Sequence, residues 1–407
     1  MLINRSRRND LKKLVFFMFI AALLLGGCAG KREKLNVAMS LSESEWTVMR
    51  EKVIPLFEKN HKIAVEAVQV EASDLPLLLE AMKKAGNMQI DLFAQDNMQL
   101  FLLTNNKLVE DLSAYENIIP RRVPRALVSG LKTGDRLYFM PYRPDVRITY
   151  YNKEKFDKYG LKPPRNWDQL LAVAMKFKQK EKAGKVIFQA SGGMPTAVQM
   201  YEWIVSAGGD PFRLNDRGCV RTFTFLQKLW PYLSPDSKHA KSDNTNDYLS
   251  RGSAYLAQNW ALNGYSLFVG QEKEQIKTYE GFRGPRKQVH VIGGQVLGIP
   301  KGTRKKTQAL AFIKHLQSRE VQEIFVKEMG WPSLRTDAYS HAEPGMKAYY
   351  NSASRAMERG IFPKRSAYWN EYEKLVNEAF VKIVLNGEPV KQTLDILAKK
   401  ISRSPVL

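Results

Sequence analysis

Residues 134–171, GDRLYFMPYRPDVRITYYNKEKFDKYGLKPPRNWDQLL, decide how this chain is read. An apolar, strand-like run over 137–140 stops at Pro141. A second extended run, rich in β-branched and aromatic residues, covers 146–151. Pro141 and Pro144 each lack a backbone donor, which predicts that no continuous central strand contains both. The stretch reads as an extended crossing from one domain into another, with the functional site beside it.

Length agrees with two domains, because 407 residues exceed one ordinary core. Apolar and charged fractions of 44% and 26% are those of a soluble globular protein, against a formal charge of +22. Arg5, Arg7, Arg8, Lys12 and Lys13 against Asp10 contribute +4, and an apolar run over 14–25 follows. That run is too short to cross a bilayer as a helix and fits a secretory signal, leaving +18 on the rest. Cys219 is then the one thiol beyond Cys28, so no internal disulfide is expected. CxxC, HExxH and clustered Cys/His at metal spacing are missing from the sequence, so neither metal nor cofactor is expected.

Strands are expected over 35–40, 63–70 and 90–94, with helices between them. Ser42 to Glu45 forms a capping box ahead of Trp46, Met49 and Val53 at helical spacing, and Pro55 is expected to open a separate helix. Strands alternating with helices predict a parallel sheet with right-handed crossovers. Ligands of such sheets bind beyond the carboxyl ends of the strands, where the loops 41–46 and 95–97 lie. Further on, Asn166 caps a helix over 167–178, and helices are expected over 195–207, 219–233 and 305–317. A strand over 289–299 carries Gly293-Gly294, a second crossing, and a helical pair over 368–385 and 389–402 ends the chain.

Several segments follow one another in a familiar order: DLFAQDN with KLVEDLS, GDRLYFMPY, ITYYNKEKFDKYGLKPPRNWDQLL and GSAYLAQNWALNG. VLGIPKGTRKKTQALAFIKHLQSREVQEIF, GWPSL and FPKRSAYWNEYEKLVNEAFVKIVLNGEP complete the series. In these the chain resembles the extracellular solute-binding proteins of bacterial ABC importers, the family that includes maltose- and other sugar-binding proteins. The resemblance implies an α/β, two-lobed periplasmic-binding-protein (flytrap) fold with interleaved lobes joined by crossing hinge strands. Lobe 1 would hold 35–142 and 294–335, and lobe 2 would hold 147–290 and 345–407. Crossings would fall at 142–146, 293–296 and 335–345.

The end of the apolar run, Leu25-Gly26-Gly27-Cys28, resembles a bacterial lipoprotein signal. It implies a signal peptide over 1–27, a lipidated Cys28 and a linker to residue 34. The protein would then be exported and anchored to a membrane, facing the periplasm or the cell exterior.

The family's aromatic sugar contacts map onto Trp260, Trp331 and Trp369. Counting back from Tyr151-Asn152 places Asp145 at an acidic sugar-binding position. Gln95, Asp96 and Asn97 match a binding loop, and Glu45 and Trp46 align with the loop after the first strand. Arg143 departs from the pattern, and its guanidinium would suit a carboxylate or phosphate.

The implied function is capture without chemistry. A monomer would bind a small-molecule solute, a carbohydrate, by hinge closure and deliver it to ABC permease subunits. An anionic solute (uronate, sugar phosphate or phosphodiester) and a sensor lipoprotein without a permease remain the alternatives. A hydrolase using Asp96 and Asp145 has no nucleophile motif or metal spacing behind it. The positive charge fits a surface near an anionic membrane, and no basic helix or RNA motif points to nucleic acid.

Overall fold

The computed structural model describes residues 33–268, 275–340, 342, 344–364, 366 and 368–401. The expected signal peptide over 1–27 and lipidated Cys28 lie outside the described residues. Eleven strands occur among them: β1 (Lys34–Met39), β2 (Ala64–Gln69), β3 (Leu92–Asp96), β4 (Lys132–Thr133), β5 (Arg136–Leu137) and β6 (Met140–Asn152), then β7 (Val186–Ile187), β8 (Leu256–Trp260), β9 (Ile276–Tyr279), β10 (His290–Gly298) and β11 (Gly360–Ile361). Nine join one sheet in the order β2-β1-β3-β10-β6-β8-β7, with β11 on β10 and β9 on β6, while β4 and β5 form a hairpin.

The sheet is mixed, which corrects the expectation of a parallel one. β1 pairs in parallel with β2 and β3, as alternation with helices requires, but β10 runs antiparallel to both β3 and β6. The two long strands β6 and β10 are what join the halves of the sheet. The first half of β6 pairs with β10, and its second half pairs with β8 and β9.

The expected break at the prolines is not there. Pro141 and Pro144 both lie inside β6, a single strand of 13 residues. The missing donors are tolerated because β8 joins only from Arg147 onward, so the proline half has β10 along one edge. A bulge there sets Gln295 opposite Arg143 and Val296 opposite Pro141, leaving Tyr142 without a counterpart. The Gln317 amide donates to the Pro141 carbonyl at 2.6 Å. Pro55 differs from expectation in a related way. Helices Glu43–Val48 and Ile54–His61 are continuous through a π-turn over Met49–Val53. The widened turn accommodates the absent N–H without a break.

Alternation along β6 sorts its side chains between two environments. Val146, Ile148 and Tyr150 are buried on one face, against Tyr349, Tyr350 and Ala353 of the helix Pro344–Glu358. Asp145, Arg147 and Thr149 point to the opposite face and are buried as well. A second core joins Leu35, Val37, Leu92, Phe93, Leu297, Ile299, Phe312 and Trp331. A third gathers the helices Trp167–Glu181, Gly193–Ser206, Arg217–Leu229 and Trp369–Ala379 around Phe177, Trp203, Phe223 and Tyr372. β6 and β10 therefore cross between separately packed bodies.

Candidate functional site

At the crossing, Gln295 of β10 stands opposite Asp96 of β3 on one side and Arg143 of β6 on the other. Paired residues share a face and neighbouring strands lie about 4.8 Å apart, so Asp96, Gln295 and Arg143 form one row across three strands. Two positions along, Gly293 stands opposite Asp145 on that same face.

Glu45 and Trp331 approach this row from the first turn of the helix Glu43–Val48 and from the 330–334 segment. The Trp331 indole N–H donates to Glu45 Oε1 at 2.9 Å, and Glu45 Oε2 accepts from the Ser42 N–H at 2.8 Å. The predicted capping box is thus present, and its glutamate also holds the tryptophan. Arg143 Nη1 lies 3.3 Å from Glu45 Oε1, and its guanidinium carbon lies 4.4 Å from the centre of the Trp331 ring. Trp331 is 2% exposed, with Tyr142 edge-on and Phe325 against it, so Arg143 occupies the face a sugar ring would need.

Asp145 is held by β6 and by the loop after β8. Its Oδ1 accepts from the Val146 N–H at 2.9 Å and from the Leu262 N–H at 3.0 Å. Burial pushes its pKa up to about 6, against those two donors and the charges of Arg143 and Arg147. Asp96 is also raised by burial, opposed by the Met98 N–H and by Arg143. Asn97 donates to the Ile292 carbonyl at 2.9 Å, which ties its loop to β10. The Asn97 Oδ1 and Gln295 Oε1 atoms are buried without a partner among the described residues. Trp260 closes the row from β8: a Cβ on Gly293 would sit 2.7 Å from the end of its indole.

Three of the sequence-derived candidates lie apart from this surface. Trp46 is 1% exposed in the core with Leu35 and Val37, and its N–H donates to Gln69 at 2.6 Å. Gln95 is fully buried, donating to the Ala72 carbonyl and accepting from the Asp96 N–H, both at 2.8 Å. Trp369 packs among Tyr201, Phe212 and Tyr372 with its N–H 3.3 Å from the Met194 sulfur. An open cleft of about 480 Å³ between Tyr138 and Phe362 is lined by none of the candidates.

Sequence reading missed a polar network further along the same face of β6. Arg147 is completely buried and donates to Gln189 Oε1 at 2.9 Å and to the Gln258 carbonyl at 3.3 Å. Glu202 accepts from the Gln258 amide at 3.1 Å and from the Val291 N–H at 2.8 Å, and burial lifts its pKa to about 7. The signal for it was the polar alternation Asp145, Arg147, Thr149 inside an otherwise apolar strand. Among the described residues, no group of three or more His, Cys, Asp or Glu side chains is placed to hold a metal ion.

The surface offers hydrogen-bonding groups and a half-buried indole beside two crossing strands, which suits reversible binding of a polar molecule. Residues 52–351 match the family model described as bacterial extracellular solute-binding protein. Among curated proteins, the chain is 25% identical over 308 residues to a "Probable ABC transporter-binding protein" of Deinococcus radiodurans, covering 69% of each. It is also 25% identical to the "Multiple sugar-binding protein" of Streptococcus mutans, covering 80% of this chain and 83% of that one. Among solved structures, the sugar-binding protein MalE of Xanthomonas citri superposes with a TM-score of 0.79 at 15% identity, over 90% of this chain and 96% of that one. That likeness establishes the two-lobed fold, and the match across most of the sequence establishes the kinship: the chain belongs to the bacterial extracellular solute-binding protein family.

Proposed function

We propose that the protein captures a carbohydrate between its two lobes, closes on it by bending β6 and β10, and delivers it to the permease of an ABC importer. The observation that carries this reading is the row Asp96, Gln295 and Arg143, with Gly293 and Asp145 beside it, lying on β3 and on the two strands that cross between cores. A solute held there touches both bodies and both connecting strands, so its binding energy acts directly on their relative orientation. The sugar-binding relatives support a carbohydrate.

In this reading Asp145, Asp96, Asn97, Gln295, Arg143 and Trp260 face the solute. Glu45 and Trp331 hold Arg143 in place, while Trp46, Gln95 and Trp369 support the lobes from within. The lobes run over 35–142 with 294–335 and over 147–290 with 345–407. Cys28 carries the lipid that keeps the monomer at an exported face of the membrane. No step of this function makes or breaks a covalent bond in the solute.

Titration calorimetry against a broad panel of mono- and oligosaccharides tests the proposal. Saturable binding of one solute per chain is expected for at least one carbohydrate. Heat from none of them, with the protein folded, contradicts it.

A further inference from the structure

The crossing surface is unbalanced in a way that specifies its ligand. Arg143 is only slightly exposed, its side chain being 14% accessible, yet its N–H groups make no hydrogen bond among the described residues. Its contact with Glu45 is an ion pair without hydrogen-bond alignment, and Glu45 also accepts from the Trp331 and Ser42 N–H groups. Stacking on Trp331 fixes the plane of the guanidinium and leaves its fork of donors unused. An arginine built this way is pre-organised for an acceptor that brings two oxygens in one plane.

The rest of the surface asks for the opposite. Asp145 Oδ2 has no partner among the described residues, since both backbone donors go to Oδ1. Asn97 Oδ1 and Gln295 Oε1 are likewise unpartnered acceptors. Asn97 reaches the carbonyl of Ile292, one residue from Gly293, so its acceptor lies near the Gly293–Asp145 pair. One set of free donors therefore stands beside several free acceptors on neighbouring strands.

We infer that the solute is a carboxylate-bearing sugar, a uronic or aldonic acid, whose carboxylate pairs with Arg143 while its hydroxyls donate to Asp145, Asn97 and Gln295. A neutral sugar would satisfy the acceptors but give the guanidinium only hydroxyl oxygens. A phosphate would bring up to two negative charges to a guanidinium already paired with Glu45 and flanked by Asp96 and Asp145. A single carboxylate matches the planar fork and brings less negative charge. This inference rests on the proposed binding reading and narrows it to one class of carbohydrate.

Calorimetry with matched pairs tests it: D-glucuronate against D-glucose, D-galacturonate against D-galactose, and digalacturonate against galactobiose, each at low and high salt. The acidic member of at least one pair is expected to bind about tenfold or more tightly than its neutral partner, as a charge-assisted bond in place of a neutral one allows. That advantage should shrink with salt and disappear in Arg143→Gln, with Arg143→Lys keeping part of it. If Arg143→Gln does not fold, the pairwise difference and its salt dependence in the unaltered chain decide. Equal binding within every pair, or preference for the neutral member, overturns the inference and leaves carbohydrate capture standing. Tighter binding of glucose 6-phosphate than of any uronate overturns the carboxylate assignment. No binding by any sugar, acidic or neutral, overturns both readings.

Discussion

Glu45 and Trp331 lie 286 positions apart and meet through one hydrogen bond, from the indole N–H to Oε1 at 2.9 Å. Glu45 also closes the first turn of its own helix and lies within 3.3 Å of Arg143. A helix start, a tryptophan from far along the chain and a residue of β6 are thereby fixed as one unit.

Glu45→Ala should break that unit at three points. Losing the capping box and leaving the Trp331 N–H unpaired should cost on the order of 2 kcal/mol in urea unfolding. Solute affinity should fall as well, because Arg143 loses the group that restrains it. Glu45→Gln keeps an acceptor oxygen and should cost less than half as much. Equal losses for both variants would show that the hydrogen bonds at this position carry little.

Gly294 is where β10 most needs a glycine. Its φ is +93°, and a Cβ there would lie 2.1 Å from the Arg143 carbonyl oxygen. Gly294→Ala must therefore strain the backbone and push β10 away from β6. The expected cost is about 2 kcal/mol or more, and solute affinity should drop together with stability. Gly387→Ala is a useful control: its φ is +77° with open space around it, so it carries the backbone strain without the clash.

Two buried carboxylates give the unliganded protein an unusual pH response. Asp145 is raised to about 6 and Glu202 to about 7, both chiefly by burial. A carboxyl with a raised native pKa binds its proton more tightly folded than unfolded. The two groups' share of the stability should consequently fall as pH rises from about 4 to about 7. Asp111 and Asp337 are lowered by their hydrogen bonds to Ser113 and Arg335, and act in the opposite direction only in more acidic solution. His290, lowered to about 3 by burial, and His315, also lowered by burial, oppose the two raised carboxyls up to about pH 6.5. Asp145→Asn keeps the oxygen that accepts from Val146 and Leu262, so it should flatten its share of this slope, stabilise the protein at neutral pH and weaken solute binding. The difference in thermal unfolding between the unaltered protein and Asp145→Asn, from about pH 4 to 8, checks the sign.

The tryptophans separate binding from packing. Trp260 lies against the bare α-carbon of Gly293 beside Asp145, whereas Trp369 sits among Tyr201, Phe212 and Tyr372. Trp260→Ala should weaken solute binding by about tenfold or more, through the loss of apolar contact area. Trp369→Phe should lower stability by about 1 kcal/mol and leave affinity nearly unchanged. Calorimetry and urea unfolding on the two variants distinguish these roles.

Much of the fold was legible because it depends on local pattern. The capping box at Ser42, the Asn166 cap and the Gly293-Gly294 crossing are all readable from residue type and spacing. The prolines misled because a rule about central strands was applied to a strand whose partner on one edge begins only at Arg147. Which edge is paired is a tertiary fact that β6 does not carry in its own residues. The candidate site divided along the same line. Asp145 and Arg143 were found by the family resemblance, counted from Tyr151-Asn152, but the orientation of a side chain at a loop depends on distant partners. Trp46 turns inward because Gln69 accepts its N–H, and Trp331 is covered because Arg143 lies on it. Gln295 gained its place only through the register of β10 with β3 and β6.

Small-angle X-ray scattering, with and without a carbohydrate that gives calorimetric binding, tests the central claim most directly. Closure on a solute held between β6 and β10 predicts a smaller radius of gyration at saturation. Asp145→Asn should show no such contraction at the same solute concentration. An unchanged radius of gyration in the unaltered protein, at a solute concentration where calorimetry shows it saturated, would contradict capture by hinge closure.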